Sequence, residues 1–503
     1  MVLVFILAAS LACGVSAEKR EDLIISLPGF PAASTWGFKA YTGILSVPGP
    51  INGYDSLRIH YQFHTSQRKP SNDPVAVWHQ GGPGGSSITI GLYGEMGVFK
   101  IGDEQHGNYI NPYAWNKVAN MLYLESPAGS GESFGYSACM KAGRAVDCSW
   151  DDRTQAEAYA HTLQAFFKAF SEFSTNDFYL MGESYFGQYG PNIAHFILHN
   201  EPFKTDINLR GIAAGNACWG GTETCVACNG PSQDKLNVEL LFGKGLFSSK
   251  LKKQIDEACT WPTRYKPGDG GPFGCDAGSD LSLACNRLLF DMQVEVGPYN
   301  IYNIYDNCKK TDVFLNRIGK DITWLRDQLR NGMHNSSATR NALTQMNGGY
   351  DWDCVGNVSD WIRSAQQALH LEDVEAGASR FSYNCSGPAS ITLWPELSKQ
   401  IRVLVYNGDA DACVPFNGNE EWISSLEASG GLKETSPWSP WYTGNKNAPA
   451  GYITKYKAPG ASVDFSFATI RLAGHMAPQF QPEASLMLIE NFFAGGGQRS
   501  VVV

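Results

Sequence analysis

Short runs that are apolar on both faces punctuate the chain: Pro74-Val75-Ala76-Val77-Trp78, Asn120-Met121-Leu122-Tyr123-Leu124, Asp177-Phe178-Tyr179-Leu180-Met181 and Arg402-Val403-Leu404-Val405-Tyr406. A strand wetted on one side alternates apolar with polar residues, whereas a strand covered on both sides does not. These runs therefore predict strands of a parallel sheet with helices on both faces. Between them, Ala156 to Phe173 and Gln188 to His199 carry apolar residues at helical spacing, which completes a βαβ alternation and an α/β class. From about Cys218 to Cys385 the sheet signal lapses, and it returns at Ile401. That interval holds the Gly-rich stretch Pro267 to Gly278 and helical segments such as Ile322 to Gly332. It predicts an insertion over residues 218–390, read as a lid, between two parts of one core at 18–217 and 391–503. No internal repeat or low-complexity tract is present.

At 503 residues the chain suits one large α/β core with an insertion. A composition of 43% hydrophobic, 12% aromatic and 17% charged residues fits a packed globular protein and excludes a disordered chain or a coiled coil. The net charge of −10, without a long basic run, gives no footprint for nucleic acid.

Residues Val2 to Ala12 are apolar, Val15-Ser16-Ala17 offers small residues for cleavage, and a charged stretch from Glu18 to Asp22 follows. This predicts a signal peptide over residues 1–17, since the apolar run is shorter than a bilayer span needs. No other segment reaches transmembrane length, so no membrane anchor is expected. Of the 13 cysteines, all but Cys13 lie beyond that leader, an even number suited to disulfides in an oxidising compartment. Acceptor motifs for glycosylation at Asn335, Asn357 and Asn384 point to the same compartment. Cys139 and Cys148 bracket a short loop as a local pair. Cys225-Val226-Ala227-Cys228 lacks a second cysteine pair or a nearby pair of histidines, which argues against a zinc or redox site.

The strongest local signal is Gly182-Glu183-Ser184-Tyr185-Phe186-Gly187, between a predicted strand and a predicted helix. It is one residue longer than Gly-x-Ser-x-Gly, but the setting is that of a nucleophile lifted from a sheet edge by a sharp turn, with N–H groups at the helix start to bind an oxyanion. A serine nucleophile needs a base, and the base needs a carboxylate to orient it. The α/β-hydrolase order Ser, Asp, His is available: Asn407-Gly408-Asp409-Ala410-Asp411 follows the 402–406 strand, and Gly474-His475-Met476 follows the run Phe465 to Leu472.

These residues resemble the serine carboxypeptidases. The resemblance rests on Glu183-Ser184, Gly81-Gly82-Pro83-Gly84-Gly85-Ser86-Ser87 and Gly474-His475-Met476. Further similarity lies at Tyr41-Thr42-Gly43, Asn111 to Asn116, Gly211 to Asn216 and Asn407-Gly408-Asp409, spanning about residues 40 to 495. It implies an α/β-hydrolase fold with a mixed, mostly parallel sheet, and a triad of Ser184, Asp411 (rather than Asp409) and His475. The backbone N–H groups of Gly82 and Tyr185 would be oxyanion donors, and Met476 would line the substrate pocket. The family recognises the substrate's free carboxylate with an amide before the Gly-Gly and two glutamates, implying Gln80, Glu95 and Glu183. Close carboxylates retain a proton and can donate to the substrate, so activity favoured at acid pH is expected. The substrates implied are peptides or proteins. No metal or cofactor is implied, the chain would be a monomer or homodimer, and its location would be lysosome or vacuole, or extracellular. An acyltransferase of the same fold is the nearest alternative, and a non-catalytic protective or binding scaffold a more distant one.

Three departures from the family stand out. Trp78-His79-Gln80 replaces Trp-Leu-Asn, so the recognition amide is one methylene longer, and His79 reads as a packed or surface residue rather than a catalytic one. Gly85 replaces a cysteine whose usual partner resembles Cys385, which suggests that Cys385 pairs with Cys413 instead. The loop Ser126 to Tyr136 is longer than its family counterpart.

Overall fold

The structure is a computed structural model. It describes residues 20–102, 107–130, 137–220, 228–229, 233–261, 281–297, 299–306, 364–369, 381–385, 389–444 and 447–495. The expected leader, Cys225, the Gly-rich stretch 267–278, the helical segment 322–332, Asn335, Asn357 and part of the long loop after Ser126 lie outside these residues.

Six parallel strands form the centre of a 12-stranded sheet. In spatial order they are β16 (Phe465–Ile470), β13 (Arg402–Gly408), β11 (Leu209–Gly215), β10 (Phe178–Glu183), β3 (Val75–His79) and β6 (Asn120–Leu124). Antiparallel strands extend both edges: β15 (Gly451–Lys457) and β14 (Lys433–Trp441) beyond β16, and β2 (Tyr54–His64) beyond β6. β2 also pairs with β1 (Ala40–Ile51) and with β7 (Ala138–Lys141), which carries β8 (Arg144–Val146). Two small ribbons stand apart, β4 (Phe99–Lys100) with β5 (Tyr109–Ile110), and β9 (Cys148–Asp151) with β12 (Phe381–Asn384).

The reason the central runs lack alternation is visible in β3. Val75 and Val77 enter one core, packed with α1 (Asp152–Ala169), α2 (Phe186–His199), α7 (Trp394–Gln400) and α8 (Phe416–Ala428). Ala76 and Trp78 enter a second core on the other face, packed with α10 (Pro482–Phe493) and the π-helical segment Ser87–Met96. α1 begins where Asp151 accepts from the N–H groups of Arg153 and Thr154 while Thr154 reaches back, a capping box.

Between β11 and β13 the described residues add no strand to the main sheet. α4 (Gln233–Gly243), α5 (Ser249–Ala258) and α6 (Leu283–Val296) instead build a third apolar cluster that includes Ala410 and Ala412 from the loop after β13. Disulfides join Cys139 to Cys148, as expected, and also Cys218 to Cys228 and Cys259 to Cys285. The expected Cys385–Cys413 bond is not formed. The two sulfurs have different neighbours: Cys385 lies 3.1 Å from the Tyr185 hydroxyl, whereas Cys413 sits against Tyr302 and Asp411. Among the described residues no helix is long and apolar enough to cross a membrane.

Candidate active site

Ser184 sits between β10 and α2 with a φ of 61°, in the left-handed region that non-glycine residues rarely occupy. The turn is held from both sides, since Ser184 N–H donates to the Gly215 carbonyl and the Ser184 carbonyl accepts from Gly187 and Cys218. The glycine spacing follows from packing. A Cβ on Gly182 would lie 2.2 Å from the His79 carbonyl oxygen and 2.4 Å from the Phe186 ring, and one on Gly187 would lie 2.3 Å from the Cys218 carbonyl oxygen. The second glycine falls one position later than usual because Cys218 presses on the helix there.

The loop after β3 lies against this turn, because a Cβ on Gly81 would come within 2.7 Å of Ser184 Cβ and 2.5 Å of Tyr185 N. No acceptor among the described residues takes the N–H of Gly82 or of Tyr185. The Tyr185 side chain is fixed by its hydroxyl, 3.1 Å from buried Asp152, which also accepts from Tyr383 of β12 at 2.8 Å.

The loops carrying Asp411 and His475 touch through Gly408, whose Cβ would meet the Gly474 carbonyl oxygen at 2.1 Å. His475 Nδ1 lies 2.7 Å from Asp411 Oδ2, and both residues are buried. Asp411 also accepts from Asn216 Nδ2 at 2.7 Å and from the N–H groups of Cys413 and Val414. Asp409 instead points toward Lys244 and the Leu472 N–H. Burial alone would lower the pKa of His475, but the charge and hydrogen bond of Asp411, with Glu183 adding to them, raise it.

Two supports were not legible as such. Asn216 joins the loops by donating to Asp411 and accepting from Gly408 N–H at 3.1 Å. Tyr302, from the stretch after α6, accepts from His475 N–H at 2.7 Å and packs its ring edge-on to the imidazole. The sequence similarity covered Asn216, but only the fold shows what it touches.

Beside the serine, Gln80 donates to Glu183 at 2.6 Å and accepts from Trp78 Nε1 at 2.9 Å. Neither oxygen of Glu95 has a hydrogen-bond partner among the described residues, although Glu183 and Gln80 lie near enough to act on its carboxyl. Burial pushes Glu95 up to about 8, against smaller pulls from Glu183, Lys100 and Gln80. Glu183 is raised as well, by burial first and then by the charge of Glu95. Lys100, which donates to the Glu95 carbonyl, is held down to about 7 by burial.

His79 is a packed residue. It lies between the rings of Tyr159 and Tyr189, with Nδ1 2.8 Å from the Gln80 carbonyl oxygen and Nε2 3.0 Å from Gln155, and burial lowers it to about 3. Met476 is buried next to His475 at the start of α9 (Ala477–Phe480), and Asn384 is exposed on β12.

A largely parallel sheet, a strained serine at the end of a central strand, and an Asp and a His on later post-strand loops define an α/β-hydrolase. A sequence profile of the serine carboxypeptidases matches residues 28–495, and the chain belongs to that family. Among its relatives in Arabidopsis thaliana, serine carboxypeptidase-like 34 is 30% identical, over 95% of this chain and 89% of that protein. Serine carboxypeptidase 24 is 27% identical, over 95% and 93%. Kex1Δp of Saccharomyces cerevisiae, a prohormone-processing carboxypeptidase, is similar in structure with a TM-score of 0.57, covering 91% of each chain at 18% identity. At that identity the likeness speaks for the fold.

Proposed function

We propose that the protein is a serine-type carboxypeptidase that removes C-terminal amino acids from peptides and proteins, favoured at acid pH. The buried Gln80–Glu183–Glu95 cluster beside Ser184 carries this reading, because it offers a proton-bearing carboxyl pair where a terminal carboxylate would lie. Ser184 Oγ bonds to the last peptide carbonyl carbon as His475 takes its proton, and Gly82 and Tyr185 N–H groups receive the oxyanion. The C–N bond breaks as His475 returns the proton to the departing amine, and water, deprotonated by the same imidazole, hydrolyses the acyl-enzyme. Asp411 orients the imidazole and stabilises its charge. The disulfides and exposed Asn384 support a secretory-pathway enzyme, lysosomal, vacuolar or extracellular.

N-blocked dipeptides differing in their C-terminal residue, each as free acid and as amide, test this at acid and neutral pH. Free acids should be cleaved far faster than amides, and Ser184→Ala should abolish cleavage. Equal rates for acids and amides would overturn the reading. Faster transfer from an ester donor to an added alcohol than to water would mark an acyltransferase instead.

A further inference from the structure

We propose that His195, His199 and Glu396 form a Zn²⁺ site on the outer surface that fastens α2 to α7. The two histidines are one helical turn apart on α2, so their imidazoles share a face, and α7 presents Glu396 to both. The three ligand atoms lie within 4.8 Å of one another, with His199 Nε2 2.6 Å and His195 Nε2 3.7 Å from the Glu396 oxygens. A tetrahedral Zn²⁺ with ligand bonds near 2.1 Å separates its ligands by about 3.4 Å, so small side-chain rotations suffice. The rings stand nearly parallel with centroids 4.2 Å apart.

A second contact prepares the site. His199 Nδ1 lies 2.8 Å from the His195 carbonyl oxygen, so Nδ1 donates there and Nε2 faces Glu396 at 2.6 Å, in a hydrogen bond whose proton Zn²⁺ would displace. Orientation of a ligating imidazole through its other nitrogen is typical of metal sites. Two imidazoles and one carboxylate suit Zn²⁺, with water completing the shell. His195 lies nine residues beyond Phe186, about 14 Å along the helix axis, so the ion would brace the nucleophile's helix without touching the chemistry.

Untagged mature protein, stripped with chelator, is titrated with Zn²⁺ at neutral to mildly alkaline pH against a chromophoric competitor. The native chain should bind one equivalent with a rise in Tm. Changes behind a ligand already cost about tenfold in affinity; His195→Ala and His199→Ala should lose at least that, and the double variant all binding and the Tm rise. All three variants should keep the Tm of the metal-free native chain, which separates loss of the site from misfolding. No binding by the native chain, or undiminished binding by the double variant, would overturn the proposal.

Discussion

At the residue scale, Gly85 has little room for a side chain: a Cβ there would lie 3.0 Å from both Gln80 Cγ and the Gly81 carbonyl oxygen, so Gly85→Ala should lower Tm. On the proposed reading, the proton of the carboxyl pair binds a substrate carboxylate and is lost as pH rises through the raised values, about 8 for Glu95. KM for free-acid peptides should therefore climb with pH, and Glu95→Gln should flatten the climb. Glu183 contributes to the raised pKa of His475, so Glu183→Gln should move the acid limb of kcat/KM for a substrate without a free carboxylate to lower pH. His79 works against acid stability. Its folded pKa, about 3, lies below the ordinary imidazole value, so its contribution is complete above that ordinary value and drains away as pH falls toward 3. His79→Leu should give a Tm that declines less between neutral and acid pH.

At the element scale, the sequence disclosed what burial dictates and hid what pairing dictates. β3, β6, β10 and β13 were legible within a residue or two because both faces are apolar. The β1–β2 hairpin left its local trace not in an apolar run but in the turn Asn52-Gly53, both with positive φ. β14 contains Pro437 and Pro440, tolerable only at a sheet edge, and so does not read as a strand. Ser184, Asp411 and His475 were legible through their order along the chain. The supports from Asn216 and Tyr302 were not, since they depend on which loops the fold brings together. The elbow offers a direct test of the packing account of its glycines. Gly187→Ala should cost stability by about 1–3 kcal/mol through collision with the Cys218 backbone and should depress kcat by displacing Ser184. A fully active, equally stable variant would refute that account.

At the scale of the whole molecule, the chain between β11 and β13 grips the site from two sides. The stretch after α6 bonds His475 through Tyr302, and it bonds the Asp411 loop through Ile304 N–H to Ala410 and Ala412 N–H to Ile301. β12 sends Tyr383 to the Asp152 carboxylate that holds Tyr185, and lays Phe381 where a Cβ on Gly84 would meet its ring at 2.5 Å. His475, the Asp411 loop, Tyr185 and the loop at Gly84 thus all borrow their positions from described stretches of this one interval. That has a consequence for traffic through the enzyme. A cover free to swing aside could admit substrate while leaving the chemistry armed, but these two stretches cannot, because their withdrawal would release the imidazole from Tyr302 and Tyr185 from its anchor. On the proposed reading, substrate passes the stretches around Tyr302 and Tyr383 while both stay seated. The amides of Ile304 and Ala412, which join the stretch after α6 to the Asp411 loop, should then exchange with solvent as slowly in the working enzyme as in the resting one.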